Sequence, residues 1–386
     1  MHYDVAVVGL GGMGSAAVAQ CAGRGASVIG LEQFSRGHDL GSSSGRSRMI
    51  RKAYFEDPAY VPLLFRTYDL WRELEHTSGE ELLRITGLLM VGQEGCEIIA
   101  GASRAAREHS LPHEALSADE IRARYPMLQV REEEVGLFEP DGGVLDPERC
   151  VAAHLKVAEA AGAELRFEAA MTSWESTVDG FVIHLADGNA VTSYALVLSL
   201  GPWFQEALVK LGVELRVQRN VQVWFEPAGP GYDAPDFPPF LLDRAGLPAP
   251  LYGFPDFGDG LKAAFHSHGA LTDPKRVERE VDPARDIAPL TLAMEQWMPG
   301  ATATFRAAKP CMYSLTPDGH FVVDRHPEHA RLILCGGFSG HGFKFAPVMG
   351  EIVADLALQG ASRHDIGFLS LRRFLRSEAR STASNS

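Results

Sequence analysis

The stretch Val5-Ala6-Val7-Val8-Gly9-Leu10-Gly11-Gly12-Met13-Gly14 constrains this chain more than any other. Its short apolar run suits a parallel strand buried on both faces. Directly behind it, Gly9, Gly11 and Gly14 form G-x-G-x-x-G. In such a turn the first glycine permits a sharp reversal, the second lets a phosphate approach the backbone, and the third lets helix and strand pack closely. From Gly14 to about Arg24, the small residues Ala16, Ala17, Ala19 and Ala22 suit a helix packed close on a sheet. Ser27 to Glu32 reads as the next strand, which completes a strand–helix–strand unit. The helix start offers free N–H groups and partial positive charge to a pyrophosphate. Glu32 follows Gly14 by 18 residues, where a carboxylate can accept hydrogen bonds from ribose hydroxyls. The unit predicts a bound dinucleotide, and an acid at Glu32 disfavours a 2′-phosphate, so FAD or NAD is expected rather than NADP. The plainer alternative is a glycine-rich packing turn with Glu32 merely solvated.

A chain of 386 residues with 46% hydrophobic content can bury a substantial core, in two domains or one elaborated one. The 36 basic against 50 acidic residues give a net charge of −14, which opposes general attraction to nucleic acid or an anionic membrane. Cys21, Cys96, Cys150, Cys311 and Cys335 are odd in number and scattered. They have neither metal-ligand pairing nor the density of a disulfide scaffold, so a reduced, cytoplasmic setting and no metal are expected. Met1 leads almost at once into a strand pattern, without the basic region and cleavage site of a secretory signal. The run Val5 to Gly23 is superficially membrane-like, yet its five glycines, Ser15 and Gln20 fit strand, turn and helix better than a span.

Farther along, Pro62 to Glu75, Ala100 to His109 and Cys150 to Gly162 are predicted helices, with Gly162 as a stop signal. Glu164–Phe167, Phe181–Leu185 and Val191–Tyr194, with Asp187-Gly188 as a turn, read as a small β-meander. Ala195 to Leu200 reads as a separate apolar strand. Seven prolines between Pro227 and Pro250 exclude continuous helix and predict a loop-rich connection. Arg331 to Cys335 is a late buried strand, Pro347 to Leu358 a helix, and the polar tail Ser377 to Ser386 is expected to fray. Alternation at both ends around a meander and a loop-rich centre predicts an interleaved two-domain α/β protein.

Several later blocks occur in a fixed order: Gly41-Ser42-Ser43-Ser44-Gly45 with Arg48 and Arg51, Tyr252-Gly253-Phe254-Pro255, Gly260-Leu261-Lys262, Lys309 to Tyr313, and Gly337 to Lys344. With these, the chain resembles, over nearly its whole length, the monomeric sarcosine oxidase and N-methyltryptophan oxidase family of covalent flavoproteins. The resemblance implies a Rossmann-type FAD-binding domain of residues 1–84, 146–214 and 318–386. It is interleaved with a smaller antiparallel-sheet substrate domain of residues 85–145 and 215–317. It further implies FAD linked covalently to the thiol of Cys311. A free cysteine by itself is more often a small buried hydrophobe, and the other four cysteines keep that reading.

By the same resemblance, Arg51 and Lys344 hold the carboxylate of an amino-acid substrate, and Arg48 lies beside the flavin ring. Lys262 promotes reaction with O2, where a fixed cation stabilises the charge that develops. Tyr252 and His266 match pocket positions, although His266 alone reads almost as well as a structural histidine. Ser43, His341, Gly340 and Gly342 lie against the cofactor. Arg48 and Arg51 would share a face on a helix but not on a strand. Ser44, where relatives often carry a histidine, and His268 beside His266 depart from the family pattern and bear on the substrate's side chain.

The implied activity is oxidation of N-methyl or secondary amino acids. A hydride equivalent passes to flavin N5, the imine hydrolyses, and O2 is reduced to hydrogen peroxide, in a monomer acting on a small molecule. Alternatives are an FAD-dependent amino-acid dehydrogenase with another acceptor, or an oxidase of a cyclic imino acid such as proline or pipecolate. An NAD-linked dehydrogenase and a non-catalytic flavin sensor are more distant. A serine hydrolase is also conceivable, because Gly41 to Gly45 formally fits G-x-S-x-G, but that motif needs a strand before it and a helix after it.

Overall fold

The computed structural model describes residues 2–375, so the tail Ser377–Ser386 lies outside the described residues. Two large sheets organise the chain. In the first, the buried strand His2–Val8 pairs in parallel with Val28–Leu31 on one side and Ala190–Leu198 on the other. Glu164–Arg166 continues the sheet beyond Val28–Leu31, also in parallel. The far edge of Ala190–Leu198 is shared: its first half pairs with Gly180–Leu185 and its second half with Leu332–Gly336.

The helix Gly12–Gly23 packs on this sheet through its small residues. A Cβ on Gly14 would sit 1.7 Å from the carbonyl oxygen of Gly9, so only glycine permits the observed closeness. The helices Pro147–Ala160 and Ala346–Gln359 pack beside it. Pro147–Ala160 begins earlier than the predicted Cys150 because the Asp146 side chain accepts a hydrogen bond from the Arg149 N–H and caps its start.

The meander differs from expectation. Glu164–Phe167 is not part of it but lies at the parallel edge beside Val28–Leu31. Its place is taken by Met171–Thr177, a largely exposed strand paired with Gly180–Leu185. Val191–Tyr194 and Ala195–Leu200 are one strand, Ala190–Leu198, because a single backbone serves the antiparallel hairpin and then the buried parallel sheet.

The second sheet runs in the order Thr304–Leu315, Arg216–Glu226, Leu261–Phe265, Leu251–Phe254, Phe240–Asp243, Leu88–Gln93, Glu134–Glu139, Glu114–Leu116. The proline-rich stretch contributes Phe240–Asp243, whose ladder with Leu88–Gln93 is parallel, whereas the neighbouring ladders of this sheet are antiparallel. One face of this sheet, including Val223, Phe225, Leu261 and Ala263, packs in a core with Met294 and Trp297 of the helix Ala288–Trp297. Paired residues in a sheet share a face and alternate along each strand, so the opposite face belongs to Gln222, Lys262, Tyr252 and Cys311. A small third sheet joins Arg48–Ile50, Gly143–Leu145 and Leu83–Ile85. No helix among the described residues is long and apolar enough to cross a membrane.

Candidate active site

A cavity of about 480 Å³ lies where the two large sheets meet, within the roughly 300–1,000 Å³ usual for small-molecule sites. The residues that follow five parallel strands of the first sheet all line it: Gly9, Glu32, Phe167, Ser199 and Gly337. Ligands of open α/β sheets bind at such carboxyl ends. Opposite them stands the polar face of the second sheet, with Tyr252, Lys262, His266, Gln222 and Tyr313 on the wall. The segments around Ser43 to Arg51 and Gly337 to Lys344 close the sides.

At the glycine turn, Glu32 is buried and accepts hydrogen bonds from the N–H groups of Leu10 (2.8 Å) and Phe34 (3.1 Å). Burial would raise its carboxyl, but His38 and these N–H groups hold it below the ordinary value. Ser43 Oγ accepts from the N–H of Gly12 at 3.0 Å and so tethers the serine loop to the helix start. Gly9 and Gly11 line the cavity, whereas Gly14 serves the packing described above.

In the middle, Arg48 and Lys262 are bound to the backbone of the serine loop. The Arg48 guanidinium donates to the carbonyls of Ser47, Ser42 and Ser44. Lys262 Nζ lies 2.7 Å from the Gly45 carbonyl, 3.0 Å from that of Ser47 and 3.2 Å from Ser47 Oγ. Among the described residues no carboxylate is hydrogen-bonded to it, and burial, followed by the Arg48 charge, pushes its ammonium well below the usual range. Cys311, 3% exposed, sits opposite Asn220 in the ladder, and its neighbours Met312 and Tyr313 line the cavity. The Ser42 hydroxyl donates to the Met312 carbonyl at 2.7 Å, joining the serine loop to the cysteine strand. Burial, and then the nearby Cys311 sulfur, raises the Tyr252 hydroxyl to about 12.

At the far end two buried cations flank one ring. Arg51 Cζ lies 4.6 Å and Lys344 Nζ 5.0 Å from the centre of Tyr54. Arg51 Nη2 donates to Glu56 Oε2 at 2.6 Å, and Lys344 Nζ donates to the His341 carbonyl at 2.6 Å. Burial and the Arg51 charge push Lys344 well below its ordinary range. Burial opposes ionisation of Glu56 as well, yet Arg51, His341 and Lys344 bring its carboxyl down to about 2. His266 and His341 are neutral near pH 7, lowered mainly by burial to about 4 and about 3. Gly340 adopts φ +82°, and a Cβ there would meet the Tyr313 ring at 2.3 Å; Gly342 joins it on the wall.

Arg48, Arg51, Tyr252, Lys262, His266, His341 and Lys344 therefore gather around one cavity, in spite of their separation in sequence. Of the two departures, Ser44 presents its carbonyl to Arg48, while His268 is absent from the lining and its N–H is held by Asn220. The serine loop has neither the strand before it nor the helix after it that a hydrolase elbow requires. Glu56 escaped the sequence reading, because an acid five residues past Arg51 in an irregular segment carries no periodic signal. Tyr313 had a readable one: it is two residues beyond Cys311 on a strand, hence on the same face.

Residues 4–356 match the family model described as FAD dependent oxidoreductase. The chain belongs to that family. It is 45% identical over 376 residues to the monomeric sarcosine oxidase of Streptomyces avermitilis, covering 96% of this chain and 97% of that protein. It is 32% identical over 377 residues to the N-methyl-L-tryptophan oxidase of Yersinia pestis, covering 97% and 100%. Among solved structures, NikD, an unusual amino acid oxidase essential for nikkomycin biosynthesis, matches with a TM-score of 0.84 at 27% identity, over 96% of this chain and 97% of that one. The chain is thus a member of the group that holds the sarcosine and N-methyltryptophan oxidases.

The cofactor this family implies suits the residues present. The carboxyl end of the first sheet and the start of the helix Gly12–Gly23 line the cavity, as a dinucleotide site requires, and among the described residues buried Arg51 Nε and Gln222 Oε1 have no hydrogen-bond partner.

The Arg51–Glu56 pair has a measurable pH signature. Glu56 titrates below its unfolded value, so it contributes stability above about pH 4.5, on the order of 3 kcal/mol, which is lost as pH falls from there towards about 2. In guanidinium unfolding, the advantage of the wild type over Glu56→Gln should be largest near neutrality and shrink below pH 4.5. A gap of constant size across that range would contradict the assignment.

Proposed function

We propose that the protein is an FAD-dependent oxidase of N-methyl or other secondary amino acids, with O2 as acceptor and hydrogen peroxide as product. The observation that carries this reading is the far end of the cavity, where Arg51 already grips a carboxylate, that of Glu56, beside Lys344. A substrate carboxylate has the same charge and hydrogen-bonding capacity, and arginine binds such groups through paired, charge-assisted bonds. With the acid group held there, the amine would point along the cavity towards Lys262 and Cys311.

Bound FAD would supply the two-electron acceptor for the C–H bond beside the amine and the route for those electrons to O2. Gly9, Gly11 and Glu32 would hold its adenosine diphosphate portion, with Gly14 keeping the helix close. Ser43, Arg48, His341, Gly340 and Gly342 would surround the ring portion, and Cys311 would tether it. Neutral His266 and His341 add no further positive charge beside the amine, and the raised values of Tyr252 and Tyr313 keep both hydroxyls protonated. Lys262 gains a charge-stabilising role when negative charge appears near it. For a linear N-methyl substrate, the resulting imine takes up water and yields an aldehyde and the demethylated amino acid.

In this reading residues 1–84, 146–214 and 318–386 serve the cofactor, while 85–145 and 215–317 serve the substrate. The five unpaired cysteines fit a reduced cytoplasmic setting, and the relatives' name supports a monomer.

Oxygen uptake and peroxide should appear with sarcosine or another N-methyl amino acid, with proline and pipecolate as the cyclic comparison. Arg51→Met should raise KM for the carboxylate substrate about 10- to 100-fold, from loss of a charged hydrogen bond of about 1.5–3 kcal/mol, with flavin absorbance kept. No oxygen uptake with any of these amines would overturn the reading.

The tether has its own check. When the yellow wild-type protein is precipitated with acid, the colour should stay in the pellet, and Cys311→Ala should release it. Colour in the wild-type supernatant would remove the covalent link.

A further inference from the structure

Away from the cavity, the turn between the strands Val322–Arg325 and Leu332–Gly336 gathers His326, Glu328 and His329. Their ligand atoms all lie within 4.8 Å of one another. None of the three lines the cavity described above. The turn is closed by two backbone bonds, His326 N–H to the Leu332 carbonyl at 2.8 Å and Leu332 N–H to the His329 carbonyl at 2.9 Å. Both imidazoles are also fixed from the side. The His329 ring centre lies 5.0 Å from that of His326 and 5.3 Å from that of Trp174, on the neighbouring hairpin. Phe181 closes the same group at 6.3 Å from His329. The nearby carboxylate of Asp324 is committed elsewhere, accepting from the Ser370 hydroxyl and the Leu371 N–H.

We propose that His326, Glu328 and His329 form a surface site for a borderline divalent transition metal of the zinc class. Two imidazoles and a carboxylate are a donor set that Zn²⁺ accepts, with a fourth position left for water. Metal–ligand bonds of about 2.0–2.2 Å require the donors to draw in by roughly an ångström, which exposed Glu328 can supply by a rotamer change. His326 Nδ1 accepts the Glu328 N–H at 3.2 Å. Binding through Nδ1 exchanges this long bond for a metal bond, and binding through Nε2 moves the ring proton to Nδ1 and breaks the same bond. Hard cations such as Mg²⁺ and Ca²⁺, which prefer all-oxygen shells, are excluded by the imidazoles. The scattered cysteines gave no reason to expect such a site, because its ligands are packed into four residues without a thiol.

Trp174 provides the readout, since Cu²⁺ or Ni²⁺ bound beside it quenches its fluorescence. Titrating the flavin-loaded protein with ZnCl2 by calorimetry, and with NiCl2 by fluorescence, should show one equivalent bound per chain. His329→Gln and Glu328→Gln should each weaken binding about tenfold or more, by loss of a metal ligand. Trp174→Phe should keep the calorimetric signal and lose the quenching. Absence of a one-equivalent site, or equal binding in wild type and both ligand variants, would overturn the proposal, the latter marking other histidines as the binders. Amine oxidation is not the readout, so the result stands independently of the proposed activity.

Discussion

Arg51, Lys262 and Lys344 are each less than 5% exposed along one cavity. Removing a cation from water costs several kcal/mol unless other groups replace the lost hydration. The protein meets that demand unevenly. Arg51 has a full carboxylate partner in Glu56 and two aromatic faces, Tyr54 and Phe55. Lys262 and Lys344 have mainly carbonyl oxygens and rings, so their proton affinity falls instead. A fold that tolerates such groups in its interior holds unspent positive potential, and an anionic ligand at either position would satisfy it.

The sheets make this arrangement possible through strand alternation. On the second sheet one side of Arg216–Glu226, Leu261–Phe265 and Leu251–Phe254 is given to the apolar core around Trp297, which fixes the register. The other side must then carry Gln222, Lys262, Tyr252 and, across the ladder, Cys311. A shift of one residue in any of these three strands would exchange its apolar and polar sides. The carboxyl ends of the first sheet supply the facing wall, so the cavity is the gap left between two independently specified surfaces.

Much of this was legible in the sequence wherever the signal is local. The glycine turn and Glu32 lie within one strand–helix–strand unit, and the structure has that unit as expected. The helices around Pro62, Ala100, Cys150 and Pro347 appear with shifted ends. Long-range pairing was less legible. Met171–Thr177 is polar and exposed and becomes a strand only because Gly180–Leu185 offers it an edge. Glu164–Phe167 looked like a meander strand, but its partner is Val28–Leu31, more than 130 residues earlier. The gathering of Arg51, Lys262 and Lys344 came from family resemblance and not from spacing. Glu56, which pairs with Arg51, was seen only in three dimensions.

The most direct test of the account concerns protons. Burial and the Arg51 charge lower the proton affinity of Lys344, so a carboxylate bound beside it must raise that affinity and favour proton uptake from solution. Calorimetry of a non-reacting carboxylate substrate analogue across a range of pH, in buffers of different ionisation heats, should reveal net proton uptake on binding within that range. The matching neutral amide should bind more weakly and take up none. Equal affinity for the two analogues, with no proton uptake for either at any pH, would show that these buried cations do not bind carboxylates.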